Sequence, residues 1–222
     1  MKNLVRIFSL LLFVVLALNV AGQKKAKTFE GSVKYKIDVE GENIDAATRA
    51  QMPSEIVVYY KGDNIRTEMI TPMFSFISLS NVNDGSVTQM FNGMGMKFYV
   101  VQTKEDLEAL KDESEEKPVI KQLDETKVIA GYTCKKAEIT SGGQTMEVYY
   151  TNELAVPFDK NSQYQMEGID GIFMEYNMDQ NGMIMKFSVK EVSKSKLNQS
   201  LFTVPSDYEK KSYEEFKTMF GG

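Results

Sequence analysis

From Phe29 to Glu40 the side chains alternate without a break. Phe29, Gly31, Val33, Tyr35, Ile37 and Val39 fall on one side, and Glu30, Ser32, Lys34, Lys36, Asp38 and Glu40 on the other. A period of two puts successive side chains on opposite faces of a strand, so this segment has one dry face and one wet face. Parallel sheets are buried on both faces; a half-wet strand belongs to an antiparallel sheet. A chain opening its folded part this way needs a further layer or a curled sheet to cover the dry face.

The same grammar recurs downstream. Ser54 to Lys61 and Ile65 to Thr71 flank Gly62-Asp63-Asn64. Phe74 to Ser80 and Ser86 to Phe91 flank Asn83-Asp84-Gly85, and Met96 to Gln102 follows Gly93 and Gly95. Lys127 to Thr151 reads as two consecutive strands closed by Ser141-Gly142-Gly143-Gln144. Within it Tyr132 and Cys134 share one parity and Ala137 and Ile139 the other, which predicts a β-bulge near Lys135-Lys136; a strand ending at Lys135 is the alternative. Ile172 to Met178 and Met183 to Val192 flank Gln180-Asn181-Gly182, where Asn-Gly tolerates the positive φ of a two-residue hairpin. Leu201 to Val204 is an apolar run ended by Pro205.

A few segments break the alternation. Asn43 to Met52 reads as a short helix or loop ended by Pro53. Lys104 to Lys111 carries a narrow apolar stripe, Leu107 and Leu110, on a short helix. Asp112 to Lys117 is a charged connector, Pro157 to Gly168 is irregular, and 212–220 forms a terminal helix with Tyr213, Phe216, Met219 and Phe220 on one side. Roughly ten or eleven strands at 8–12-residue spacing predict a mainly β (α+β) domain, a single antiparallel meander curling into a barrel or half-barrel. No 20–50-residue period repeats, which argues against a propeller or solenoid.

The first 22 residues stand apart from that domain. Lys2 and Arg6 precede the apolar run Ile7 to Leu18, and Val20-Ala21-Gly22 supplies small residues before Gln23. This is the layout of a secretory signal peptide, cleaved after Gly22, with 23–222 as one exported domain. No cysteine follows the run to take a lipid, so the expected location is the periplasm or the exterior. Without residues 1–22 the balance is 24 basic against 31 acidic residues, a net of −7. An acidic surface of scattered lysines has no footprint for nucleic acid.

Candidate chemistry is sparse. The chain lacks histidine, the commonest general base and metal ligand. Cys134 cannot form an internal disulfide and has no histidine to activate it, so it reads as a buried apolar residue. Ser193-Lys194-Ser195-Lys196 contains a Ser-x-x-Lys spacing without the motifs that support that chemistry. The acidic pairs Asp112-Glu113 and Glu115-Glu116 lie in a polar loop. No zinc set, calcium loop or dinucleotide fingerprint occurs, and no cofactor is expected.

The 14 methionines are the unusual feature, clustered at Met90, Met94 and Met96 and again at Met174, Met178, Met183 and Met185. Flexible thioethers suit ordinary core filling or an adaptable apolar cavity. Copper(I) would suit them too, but neither histidine nor a second cysteine joins them. Met174, Tyr176 and Met178 are expected on one face of a strand, with Met183, Met185, Phe187 and Val189 on one face of its hairpin partner.

Ile129-Ala130-Gly131-Tyr132-Thr133-Cys134-Lys135-Lys136-Ala137 is similar to the I-x-G-Y-x-C-K-K-A signature of exported Bacteroidota-type proteins. It is followed by Tyr149-Tyr150-Thr151-Asn152-Glu153-Leu154 and by the stretch from Gly168 to Tyr176, an order that resembles the domain-of-unknown-function family 4412. Phe202 to Tyr208 is similar to that family's ending. The GLPGLI family is a weaker match: its naming motif falls on Gly168 to Phe173, where Ile169, Asp170 and Phe173 depart from it. The resemblance covers 125–210 and implies a fold like the LolA/LolB lipoprotein carriers, an unclosed antiparallel barrel with helices over its mouth. It carries over no catalytic residues.

The sequence-based expectation is therefore a non-enzymatic exported protein that shelters a hydrophobic ligand, a lipid or lipoprotein acyl chain, in an apolar half-barrel. Val33, Tyr35, Met96, Phe98, Met174, Tyr176, Met183, Met185 and Phe187 are the expected lining. A lipidated protein is the expected partner, with peripheral contact at the outer membrane. An envelope scaffold with a fully packed barrel is the alternative; an enzyme is the third and weakest reading.

Overall fold

The computed structural model describes residues 28–41, 44–109, 118–157, 169, 171–180 and 182–220. The expected leader, the charged connector 112–117 and the irregular segment 158–168 lie outside them.

The strands are β1 (Gly31–Glu40), β2 (Glu55–Lys61), β3 (Asn64–Ile70), β4 (Phe74–Asn81), β5 (Val87–Gly93), β6 (Met96–Gln102), β7 (Val119–Ile129), β8 (Tyr132–Ser141), β9 (Gln144–Thr151), β10 (Ile172–Gln180), β11 (Met183–Lys194) and β12 (Glu209–Lys210). Among the described residues three short helices accompany them: α1 (Ala46–Gln51), α2 (Lys104–Ala109) and, after β12, α3 (Tyr213–Phe220). All twelve strands form one sheet, in the order β12-β6-β5-β4-β3-β2-β1-β11-β10-β9-β8-β7. The sheet is not closed, as expected of a half-barrel.

Topology fixes where the opening lies. Strands β1 to β6 each pair antiparallel with the next, as do β7 to β11, and β1 pairs antiparallel with β11. Following the directions round, β6 and β7 run the same way. A hairpin cannot join two parallel strands; a long crossover is needed, and α2 opens the connection after β6. The meander is therefore two runs stitched through β1 and β11, with the gap between β6 and β7.

The stitch depends on Gly31, which pairs with both Lys194 and Tyr60. Its φ is +151°, and a Cβ there would sit 2.0 Å from the Ser193 carbonyl oxygen. β1 alternates as its sequence requires, burying Gly31, Val33, Tyr35, Ile37 and Val39.

Beyond β11 the chain becomes a strap over the outer face. The Leu197 amide donates to Glu30 Oε1 at 2.9 Å, Lys61 Nζ to the Leu197 carbonyl at 2.5 Å, and Arg66 to the Leu201 carbonyl at 2.7 Å. The run from Leu201 is not part of the sheet: Gln199–Phe202 form a 3-10 turn capped by Asn198, which accepts from Ser200 N at 3.0 Å. Val204 and Tyr208 then cover Ile77, Leu79 and Met90. β12 pairs parallel with β6, and α3 follows from a capping box in which Ser212 and Glu215 bond reciprocally. The terminal helix expected at 212–220 is thus present.

The stretch 127–151 differs from its sequence reading. It holds three strand segments: Ala130 and Gly131, both at positive φ, make a tight turn between β7 and β8. The facing of β8 does switch between Cys134 and Ala137, both buried. The inserted residues, however, are on the neighbouring strand. The β7–β8 register jumps from Leu123↔Lys136 to Thr126↔Lys135, so Asp124 and Glu125 bulge out of β7 while β8 pairs regularly with β9. Glu125 is held there by the Tyr149 hydroxyl and by Lys136 at 3.4 Å.

Candidate functional site

Curling puts one face of nearly every strand on a common apolar core. Eight of the nine expected lining residues are in it: Val33 and Tyr35 on β1, Phe98 on β6, Met174 and Tyr176 on β10, and Met183, Met185 and Phe187 on β11. Met96 is not. It is 37% exposed, because it opens β6 opposite Gly93 beside the Met94-Gly95 turn, past the packed part of the hairpin. The first methionine group is scattered: Met94 is exposed in the turn, and Met90, of opposite parity to Phe91, is buried under the strap outside the barrel.

The second group holds together with one adjustment. β10 is irregular between Phe173 and Glu175, leaving Met174 as the extra residue of a bulge. Phe173 and Tyr176 therefore meet, their rings 5.8 Å apart and edge to face, although they are three residues apart in a strand. Tyr176 stacks on Phe187 at 4.6 Å and 7°, and the Tyr35 hydroxyl donates to the Phe173 carbonyl at 3.0 Å. Met178 is only partly buried.

Sequence reasoning missed several members of this wall. Tyr60 lies edge-on to Phe29 at 5.9 Å, and a ladder of rings runs from Phe74 to Phe91 (5.9 Å) and on to Phe98 (5.5 Å). Tyr60 was legible from its alternation with Ile56 and Val58. The last ring, Phe216 of α3, stands edge-on to Phe98 at 6.5 Å, and Tyr213 stacks on Phe216. The terminal helix thus packs on the inner wall at the β6 side of the gap. Ile44 and Met52, flanking α1, pack on the same core.

The wall is electrically quiet. Burial pushes the Tyr35, Tyr60 and Tyr176 phenols well above their ordinary range, and the neighbouring phenols add to this at Tyr35. All three stay neutral hydrogen-bond donors. Among the described residues the buried polar side chains are Thr67, Thr71, Gln89, Gln102 and Thr151, none of them charged. Cys134 is also buried, its thiol directed to the Tyr132 carbonyl at 3.4 Å and pushed up by burial. A thiol held protonated is a poor nucleophile. Among the described residues no three His, Cys, Asp or Glu side chains gather into a metal site, and no helix is long and apolar enough to cross a membrane.

A curled antiparallel sheet, open on one side, with a largely apolar inner wall and a helix at the gap, defines the class of domain. The family model "Domain of unknown function (DUF4412)" matches residues 29–208, and the chain belongs to that family. No curated protein matches it. Two crystal forms of PNGF-II are similar in fold, with TM-scores of 0.53 and 0.50 at 20% identity over 87% and 86% of this chain. The chain spans only 33% and 32% of those structures. LprF from Mycobacterium bovis aligns with a TM-score of 0.33 at 11% identity, over 81% of this chain and 90% of that one.

Proposed function

We propose that this domain is a non-enzymatic binding protein of the cell envelope, exported by its leader, that shelters a lipid or a lipoprotein acyl chain against the inner wall. The observation that carries the reading is the gap between β6 and β7. The parallel directions of these strands keep the sheet from closing there by a hairpin, and α3, a short helix anchored through Phe216 on Phe98, stands at the gap. Behind it lie flexible methionines and broad rings with no charge among them, a lining suited to an alkyl chain. The lipidated partner and the contact with the outer membrane belong to the same proposal.

Native mass spectrometry of gently purified protein, with solvent extraction of the same sample, tests it. A lipid-sized mass increment that extraction removes supports the proposal. A bare mass together with no uptake of an acyl probe would contradict it.

One observation favours a second reading, an interaction module with a filled barrel. Val33, Ala137, Val148 and Met174 are wholly buried by their neighbours. A filled barrel predicts the bare mass.

A further inference from the structure

The inner wall is not apolar throughout. Thr67 on β3, Ser78 on β4 and Gln89 on β5 are directly opposed in register, forming one row across three strands. Each is two residues from an inner-core side chain on its own strand: Met69, Phe76 and Phe91. Alternation therefore turns all three to the inner face. Gln102 joins them from β6, two residues beyond Val100, and its Oε1 accepts from Gln89 Nε2.

That bond uses only half of the Gln89 amide. Gln89 is 3% exposed, and its Oε1 has no hydrogen-bond partner. A buried carbonyl without a donor is costly, and native interiors rarely leave one. The row also interrupts the alternation: Val87 and Phe91 flank Gln89 on the same face, so an apolar residue there would have continued the packed wall. Charge gives no reason for the row, since its members are all neutral.

We propose that Thr67, Ser78, Gln89 and Gln102 form a polar subsite that takes the uncharged, hydrogen-donating head of an amphiphile, a hydroxyl or an amide N–H. Gln89 Oε1 accepts from that head, and the Ser78 and Thr67 hydroxyls can donate to its oxygen. The chain of the ligand runs along the apolar wall of β1, β10 and β11. This rests on the hydrophobic-ligand reading and specifies the head group that site prefers.

Displacement of the neutral dye N-phenyl-1-naphthylamine by 1-dodecanol, methyl dodecanoate and dodecanoate tests the subsite on the whole protein. The three share a chain length and differ in the head. Dodecanol is expected to bind roughly threefold to tenfold more tightly than the ester, the range of one net hydrogen bond. Gln89→Met should remove that advantage and leave the ester unchanged. The comparison on the unsubstituted protein stands even if the variant fails to fold. Dye displaced equally by alcohol and ester would mean an interior water completes Gln89, overturning the subsite while leaving the hydrophobic-ligand reading intact. Tightest binding by dodecanoate would overturn the uncharged-head assignment. A dye that never binds would overturn the subsite and the hydrophobic-ligand reading together.

Discussion

The two edges of the sheet are finished differently. The β6 edge is covered: β12 pairs with it, the Lys211 amide donates to the Tyr99 carbonyl at 2.9 Å, and Lys97 meets Asp207 and lies over the Tyr208 ring at 4.8 Å. From there α3 turns inward onto Phe98. The β7 edge has no strand beyond it among the described residues. It leaves Val119 at 68% and Val128 at 69% exposure, and relies on lysines, acids and the Asp124-Glu125 bulge, devices that blunt an edge without covering it. Among the described residues the gap is therefore asymmetric: one lip carries a built latch and the other ends in β7. On the latch side Phe216 stands edge-on to Phe98, and Tyr213 packs on the same core.

The largest effect should separate the two lips. Phe98→Ala removes a buried ring shared by Phe91 and Phe216 and is expected to cost about 3–5 kcal/mol, the range for buried aromatic deletions. Chemical denaturation measures it; a loss under about 1 kcal/mol would mean that the β6 lip is not anchored through that ring. Next comes the seam that makes both lips possible. Gly31→Ala should cost about 1–3 kcal/mol, because its Cβ would strike the Ser193 carbonyl and its φ disfavours a side chain. A variant as stable as the parent would show that β1 and β11 do not depend on this close approach.

Acid should loosen the covered edge and its strap, as it should the β7 bulge, where Tyr149 and Lys136 hold the Glu125 carboxyl low in the same way. The Leu197 amide and Lys61 hold the Glu30 carboxyl below its ordinary value of 4.5. Lys97 does the same for Asp207, whose ordinary value is 3.8. A depressed folded value means that the stabilisation is present above the unfolded value and is lost as pH falls through the folded one. Limited proteolysis between pH 7 and pH 3, followed by mass mapping, should show cuts within 195–211 increasing as the pH falls; a strap as resistant at pH 3 as at pH 7 would contradict this. Smaller still, Cys134 should react with a thiol reagent only as fast as the surrounding sheet opens, since its sulfur is buried and protonated. Immediate labelling of folded protein would contradict that. Val128→Ala, on the β7 lip, should shift stability by less than about 0.5 kcal/mol.

What could be read beforehand follows the same division. β1, β2 and β11 were legible because burial on one face imposes period two on their sequences. β7 was not, since it is exposed along most of its length and so nothing enforces alternation. The turn at Ala130-Gly131 was hidden because Ala130 takes a φ of +48°, which non-glycine residues seldom adopt. The burial of eight of the nine named residues in the common core agrees with their parity. Met96 is exposed because parity does not say where a packed strand ends. Phe216, Met90 beneath the strap, and the gap itself are set by contacts between distant parts of the chain.

The measurement that tests the account most directly is photocrosslinking with a diazirine-bearing alkyl probe, mapped by peptide mass spectrometry. Sheltering of a chain predicts adducts on the inner wall, at Tyr176, Phe187 and Phe98, and competition by unlabelled amphiphile. Adducts confined to the exposed Val119 and Val128, or none that competes, would contradict it.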